Sequence, residues 1–78
     1  AAVVNLVLSA SQEWLADGIT VNAVLPSTMD TPANRRDMPE EDFTRWPTTQ
    51  QVADVIAFLV SEKARIVSGA SIPVYGNA

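Results

Sequence analysis

The side chains of this protein that could do chemistry are concentrated in one stretch. Residues 19–32 read ITVNAVLPSTMDTP, an apolar, β-branched run that breaks into Pro26, Ser27, Thr28, Met29, Asp30 and Thr31. Hydroxyls and a carboxylate at the end of a buried strand can hold a ligand, and open α/β sheets bind ligands at the carboxyl ends of their strands. No obvious nucleophile, base or phosphate loop accompanies them. The chain has no His, the commonest general base and metal ligand, and no Cys for thiolate chemistry. Ser61 and Lys63 are too close in sequence for a helical Ser-x-x-Lys pair. Glu40, Glu41 and Asp42 lack a fixed ligand spacing and the Gly turn of a calcium loop, so they read as solvated charge. No catalytic residue and no metal ligand is assigned.

Two helices and two strands are expected to position this stretch. Residues 1–17 read as a helix, with Val3, Val7, Ala10 and Trp14 on one row and Val4, Leu8, Ser11 and Leu15 on the next. Leu6 widens that apolar face, and Gly18 supplies the stop. Residues 19–25 read as a strand covered on both faces, with Asn22 as its one strongly polar side chain. The expected role of Asn22 is structural, its amide pairing with nearby backbone.

Residues 26–47 form a long irregular loop holding four of the five prolines. Pro39 could open a short helix there, and Phe43 and Trp46 suggest docking on something apolar. Residues 48–60 give the clearest helix, announced by a Thr48–Gln51 capping box and an apolar stripe of Val52, Ile56, Leu59 and Val60. Residues 70–75 read as a second strand, an edge strand because Pro73 lacks a donor. Helix, strand, loop, helix, strand contains one βαβ unit, so the two strands should run parallel through a right-handed crossover.

Composition narrows the function classes. Seventy-eight residues make one small domain, and 47% hydrophobic residues with only 18% charged ones exclude disorder. That apolar share is high for so small a chain, which implies faces meant to be covered. A net charge of −4 with five scattered basic residues argues against nucleic acid as a partner. No apolar run reaches the length of a membrane span. The opening AAVVNLVLSA lacks the basic start of a signal peptide and reads as the middle of an element. Together with the absence of Cys, this points to the cytoplasm.

Three segments then fall in register with a known pattern. GITVNAVLPSTMDT, QVADVIAFLVS and IVSGASIPVYGN resemble, in order and spacing, the carboxyl-terminal portion of the short-chain dehydrogenase/reductase (SDR) family. The resemblance covers nearly the whole chain. It implies a partial Rossmann-like, doubly wound α/β fold, NAD or NADP as the cofactor of the intact family, and dimers or tetramers. It also implies that Pro26, Ser27, Thr28, Met29 and Thr31 belong to the loop that closes on the nicotinamide. There Met29 would offer a main-chain contact and Thr31 a hydroxyl near the carboxamide or pyrophosphate. Ser27 departs from the family's usual Gly, and Asn77 replaces the last Gly of its terminal pair.

In the family, the Gly-rich phosphate turn and the catalytic Ser, Tyr and Lys lie upstream of the matching region. Ala1 would follow the Lys by about one residue. Two readings follow. The chain is the carboxyl-terminal segment of an NAD(P)-dependent oxidoreductase interconverting carbonyls and alcohols, expected to hold no cofactor and to be inactive alone. Alternatively, it is a truncated structural module completed by self-association, since two strands are too few for a stable sheet. Its expected partner is a second copy or the missing amino-terminal half, and a split or cleaved enzyme is a third possibility.

Overall fold

The computed structural model describes residues 2–77. In chain order these form α1 (Ala2–Glu13), β1 (Ala23–Pro26), α2 (Pro32–Asp37), α3 (Thr49–Leu59) and β2 (Ser71–Val74). Single 3-10 turns lie at Leu15–Asp17, Phe43–Arg45 and Glu62–Ala64. β1 and β2 pair in parallel, with Ala23 opposite Ser71 and Pro26 opposite Val74. The α/β class and the parallel pairing are those the sequence implies.

β1 starts four residues later than the alternation from Ile19 predicts, and the reason lies in its partner. Gly69 takes φ +78°, bending the chain just before β2. Opposite that bend, Val21 bonds irregularly: its N–H donates to Ser68 Oγ at 3.1 Å, and its carbonyl accepts the Gly69 N–H at 2.8 Å. A regular ladder is possible only from Ala23, whose N–H donates to the Ala70 carbonyl. Asn22 spans the same bend. Its Nδ2 donates to the Val67 carbonyl at 3.0 Å and its Oδ1 accepts the Ala70 N–H at 3.0 Å. The expected structural role of this amide is thus seen directly.

The first helix is shorter than residues 1–17. α1 stops at Glu13, a 3-10 turn follows, and Gly18 closes it at φ +72° with its N–H on the Leu15 carbonyl. Of the expected stripe, Val7 and Ser11 are buried, whereas Val3, Leu6, Leu8, Trp14 and Leu15 are exposed. Gly69 passes so close to this helix that a Cβ there would lie 2.9 Å from Ser11 Oγ. α3 begins as expected, with both halves of the capping box formed: Gln51 N donates to Thr48 Oγ1 at 3.0 Å, and Thr48 N to Gln51 Oε1 at 2.9 Å. It buries Val52 and Leu59 and leaves Ile56, Phe58 and Val60 exposed.

The core is correspondingly small: Val7, Trp46, Pro47, Val52, Leu59 and Ala64. The accessible surface is 5626 Å², where a compact chain of this size would show about 4,600 Å². The radius of gyration is 14.9 Å, against about 11.5 Å for a compact domain of this length. An apolar trough of about 460 Å³ opens between the strand side (Thr20, Asn22, Val24) and α3 (Ile56, Leu59, Val60). Large apolar faces stand uncovered.

Candidate functional site

β1 ends at the exposed Pro26 and delivers Ser27, Thr28, Met29 and Asp30 into a half-buried loop. Backbone bonds fix this loop at both ends. Ser27 N donates to the Val74 carbonyl at 3.4 Å, and Asp30 N to the Pro47 carbonyl at 2.9 Å, in a parallel bridge with Thr48. The loop is therefore laced to the end of β2 and to the start of α3.

Beyond it, the segment read as irregular contains α2, placed seven residues before the helix start suggested at Pro39. Thr31 and Pro32 explain this. Thr31 Oγ1 accepts the Asn34 N–H at 3.1 Å as N-cap, and Pro32 occupies the first turn, where no amide donor is needed. Asp42 instead caps the turn at Phe43–Arg45, accepting from both Thr44 N and Thr44 Oγ1. Those two bonds, first the hydroxyl and then the backbone, hold its carboxyl below the usual carboxylate range.

Asn34 organises the loop behind it. Its Nδ2 donates to the Met29 carbonyl at 2.8 Å while its backbone holds the Thr31 hydroxyl oxygen. The Met29 carbonyl is thus engaged, and among the described residues its N–H meets no acceptor. The Thr31 hydroxyl, used as an acceptor, still has its proton to donate. The Met29 N–H and the Thr31 O–H are thus two donors on residues two apart in the chain, both without an acceptor among the described residues. Thr28 is half-buried beside them.

Between those donors sits Asp30. Its carboxylate takes a two-pronged bond from Arg35, Nε to Oδ1 at 2.6 Å and Nη2 to Oδ2 at 2.8 Å. The Arg35 hydrogen bond, opposed by desolvation and aided to a lesser degree by the Arg35 charge, keeps the Asp30 carboxyl below its ordinary range. The guanidinium carbon lies 4.7 Å from the Phe43 ring centre, and Phe43 meets Trp46 at 4.9 Å between ring centres. Trp46 is buried as the sequence suggested; Phe43 is half-buried. A cavity of about 330 Å³ lies alongside, lined in part by Asp30, Phe43, Trp46, Thr48 and Gly76.

A family model described as enoyl-(acyl carrier protein) reductase matches residues 1–76. The chain belongs to the short-chain dehydrogenase/reductase family. Meso-2,3-butanediol dehydrogenase of Serratia marcescens is 38% identical to it over 85 residues, covering 99% of this chain and 34% of that protein. Among solved structures, a short-chain type dehydrogenase/reductase from Mycobacterium ulcerans superposes with a TM-score of 0.86 at 26% identity, covering 97% of this chain and 31% of that one. Acetoin dehydrogenase from Enterobacter cloacae gives a TM-score of 0.80 at 33% identity, with the same two coverages. The chain spans about a third of the length of the relatives it matches.

Within this SDR chain, the two departures from the family pattern have simple structural accounts. Among the described residues no side-chain-bearing residue has a positive φ. Ser27 therefore sits at a backbone angle open to any residue, and its hydroxyl donates to the Tyr75 carbonyl at 3.0 Å. Asn77 uses only backbone groups: its N–H donates to the Arg45 carbonyl at 2.9 Å, and its carbonyl accepts from Arg45 Nε at 3.1 Å. Gly76, the first residue of the terminal pair, has no room for a side chain. It takes φ +62°, and a Cβ would meet the Arg45 carbonyl at 2.9 Å and Pro47 N at 3.0 Å.

Asp30 belongs to the stretch the sequence singled out, but its partner Arg35 and the loop-holding Asn34 were not among the candidate site residues. The Thr-Pro cap signal at residues 31–32 could have located α2, and with it the i, i+5 Asp30–Arg35 pair. Nothing in the sequence announces the bond from Asn34 to Met29. Among the described residues, no cluster of acidic side chains could hold a metal ion, and no helix is long and apolar enough to cross a membrane.

Proposed function

We propose that this chain supplies the nicotinamide-facing loop and the substrate lid of an NAD(P)-dependent oxidoreductase that interconverts carbonyls and alcohols, and that it does not catalyse alone. The observation that carries this reading is the pair of donors, Met29 N–H and Thr31 O–H, fixed by Asn34 at the end of a parallel strand. Donors of these two kinds suit the oxygen of a carboxamide and an adjacent ligand oxygen. Pro26, Ser27 and Thr28 form the approach, with the Ser27 hydroxyl turned back to Tyr75 and so serving the loop rather than the ligand. When bound, a nicotinamide supplies the hydride chemistry that no side chain here can perform.

The remaining residues bind and shape. Residues 33–46 cover the loop as a lid. Asp30, the one carboxylate beside the donors, is neutralised by Arg35 and poorly suited to carry a proton near neutral pH. A loop touching only the nicotinamide holds little of a dinucleotide, whose pyrophosphate wants the amino end of a helix behind a Gly-rich turn. The cysteine-free composition fits a reducing compartment, the cytoplasm.

Titration of NADH and NADPH into the purified chain, followed by nucleotide fluorescence, should show no saturable binding and no carbonyl-dependent oxidation. A chimera carrying residues 2–77 in place of the matching third of the Serratia relative should bind NADH. Turnover by the chain alone, or a folded chimera that binds neither nucleotide, overturns the reading.

A second reading has its own support. The surface in excess of a compact monomer is about 1,000 Å², and Leu6, Leu15, Val60 and Ile66 are each at least two-thirds exposed. A standard interface removes about 800 Å² per partner. Self-association of the chain, as a structural module without catalysis, would cover that area.

A further inference from the structure

We propose that Arg35 is a positioning residue: by bridging Asp30 and Phe43 it latches the lid to the loop and thereby fixes the Met29 and Thr31 donors. The contacts form a closed ring. The Asp30 carboxylate holds the Arg35 guanidinium, whose carbon lies 4.7 Å from the centre of the Phe43 ring. Phe43 packs on Trp46, Trp46 adjoins Pro47, and the Pro47 carbonyl accepts the Asp30 N–H. The ring begins and ends at Asp30, once through its side chain and once through its backbone.

Each member suits the task. Asp30 stands between the two donor residues, so a shift of its backbone shifts both. Arg35 projects from α2, whose first turn is capped by Thr31 itself, so the helix and the donor move as one. A guanidinium offers a planar fork to the carboxylate and a flat face to the aromatic ring at once, which an ammonium cannot do. Beneath the ring, Trp46 is 8% exposed and Pro47 almost wholly buried, which gives the latch a rigid seat. Exposed ion pairs contribute little when two mobile side chains must be immobilised for them. This one differs in joining two backbone segments already fixed at Pro47 and Thr31.

Hydrogen exchange followed by mass spectrometry on the 78-residue chain tests the latch without cofactor. Residues 33–46 contain the bonded amides of Arg35, Met38, Glu41, Arg45 and Trp46, and α3 serves as the internal reference. Arg35→Gln should speed exchange across residues 33–46 by roughly fivefold while α3 is unchanged. Asp30→Asn should match it, and the double variant should be no faster than either single one. Arg35→Lys should fail to restore protection, and Phe43→Leu should lose part of it.

Protection restored by Lys would reduce Arg35 to a point charge and overturn the proposal. So would an unchanged lid in Arg35→Gln, or α3 exchanging in step with the lid. The link from the latch to ligand donors rests on the nicotinamide reading. Loss of NADH binding in the chimera would remove that reading and leave the exchange result standing, so the two failures are distinguishable.

Discussion

Asn22 shows how one amide can hold a fold together where the sheet cannot. Val67 and Ala70 flank the bend that Gly69 makes, and the Asn22 side chain takes up the Val67 carbonyl and the Ala70 N–H together. Asn22→Leu keeps the branched outline, though with more bulk, and abandons a carbonyl and an N–H together. The expected cost is about 1–3 kcal/mol, read from the urea unfolding midpoint, and a cost below ~0.5 kcal/mol would remove this role. At Asp30 the relevant variable is pH. Its carboxyl is held low chiefly by the Arg35 hydrogen bond, against desolvation, with the Arg35 charge adding a smaller downward push. Arg35 faces it from α2, and Arg45 lines the same cavity. Because the folded value lies below the unfolded one, the contribution is complete above the ordinary carboxylate range and is lost as pH falls through the lower folded value. In a Trp14→Phe background, acrylamide quenching of Trp46 should stay flat from pH 8 to about pH 5 and rise only below about pH 4. A rise centred near neutral pH would contradict this.

At the scale of elements, local rules did well wherever a helix start was written in adjacent residues. The Thr48–Gln51 box is formed in full, and Thr48→Ala should cost about 1 kcal/mol of unfolding free energy, with loss of helical circular dichroism on heating at a lower temperature. Gly18 ends the first helical segment as its type suggests. Local rules did less well where a distant segment decides. The alternation from Ile19 is genuine, yet pairing waits until Ala23 because the partner segment bends at Gly69, about fifty residues away in sequence. α2 displaced the helix suggested at Pro39 because Thr31-Pro32 is the stronger start, and Asp42 turned to capping a single turn. The resemblance pointed to Met29 and Thr31, but the bond that holds their loop was not legible. That depends on Asn34, a residue with no pattern of its own, reaching back five positions.

For the whole molecule, the apolar content is larger than the core it builds. Val3, Leu6 and Leu15 on one side and Ile56, Phe58 and Val60 on the other lie outside the core. Sedimentation equilibrium should therefore give a mass of two or more chains at micromolar concentration, shifting towards one chain when Leu6 and Val60 are both replaced by Glu. A wild-type mass of one chain, at all concentrations up to about 100 μM, would count against self-association.

The parallel pairing of β1 and β2 also governs time. Ala23 meets Ser71 across 47 intervening residues, and no tight hairpin can bring them together. α3, with its own cap, can form within microseconds, whereas strand closure must first meet the entropy of a long loop. The Asn22 and Ser68 bonds belong to that late closure. Until it happens, two unpaired strands and an unseated lid share solution with other chains in the same state. The concentration at which the polypeptide is refolded will then decide how much of it reaches the native pairing and how much is diverted into aggregates.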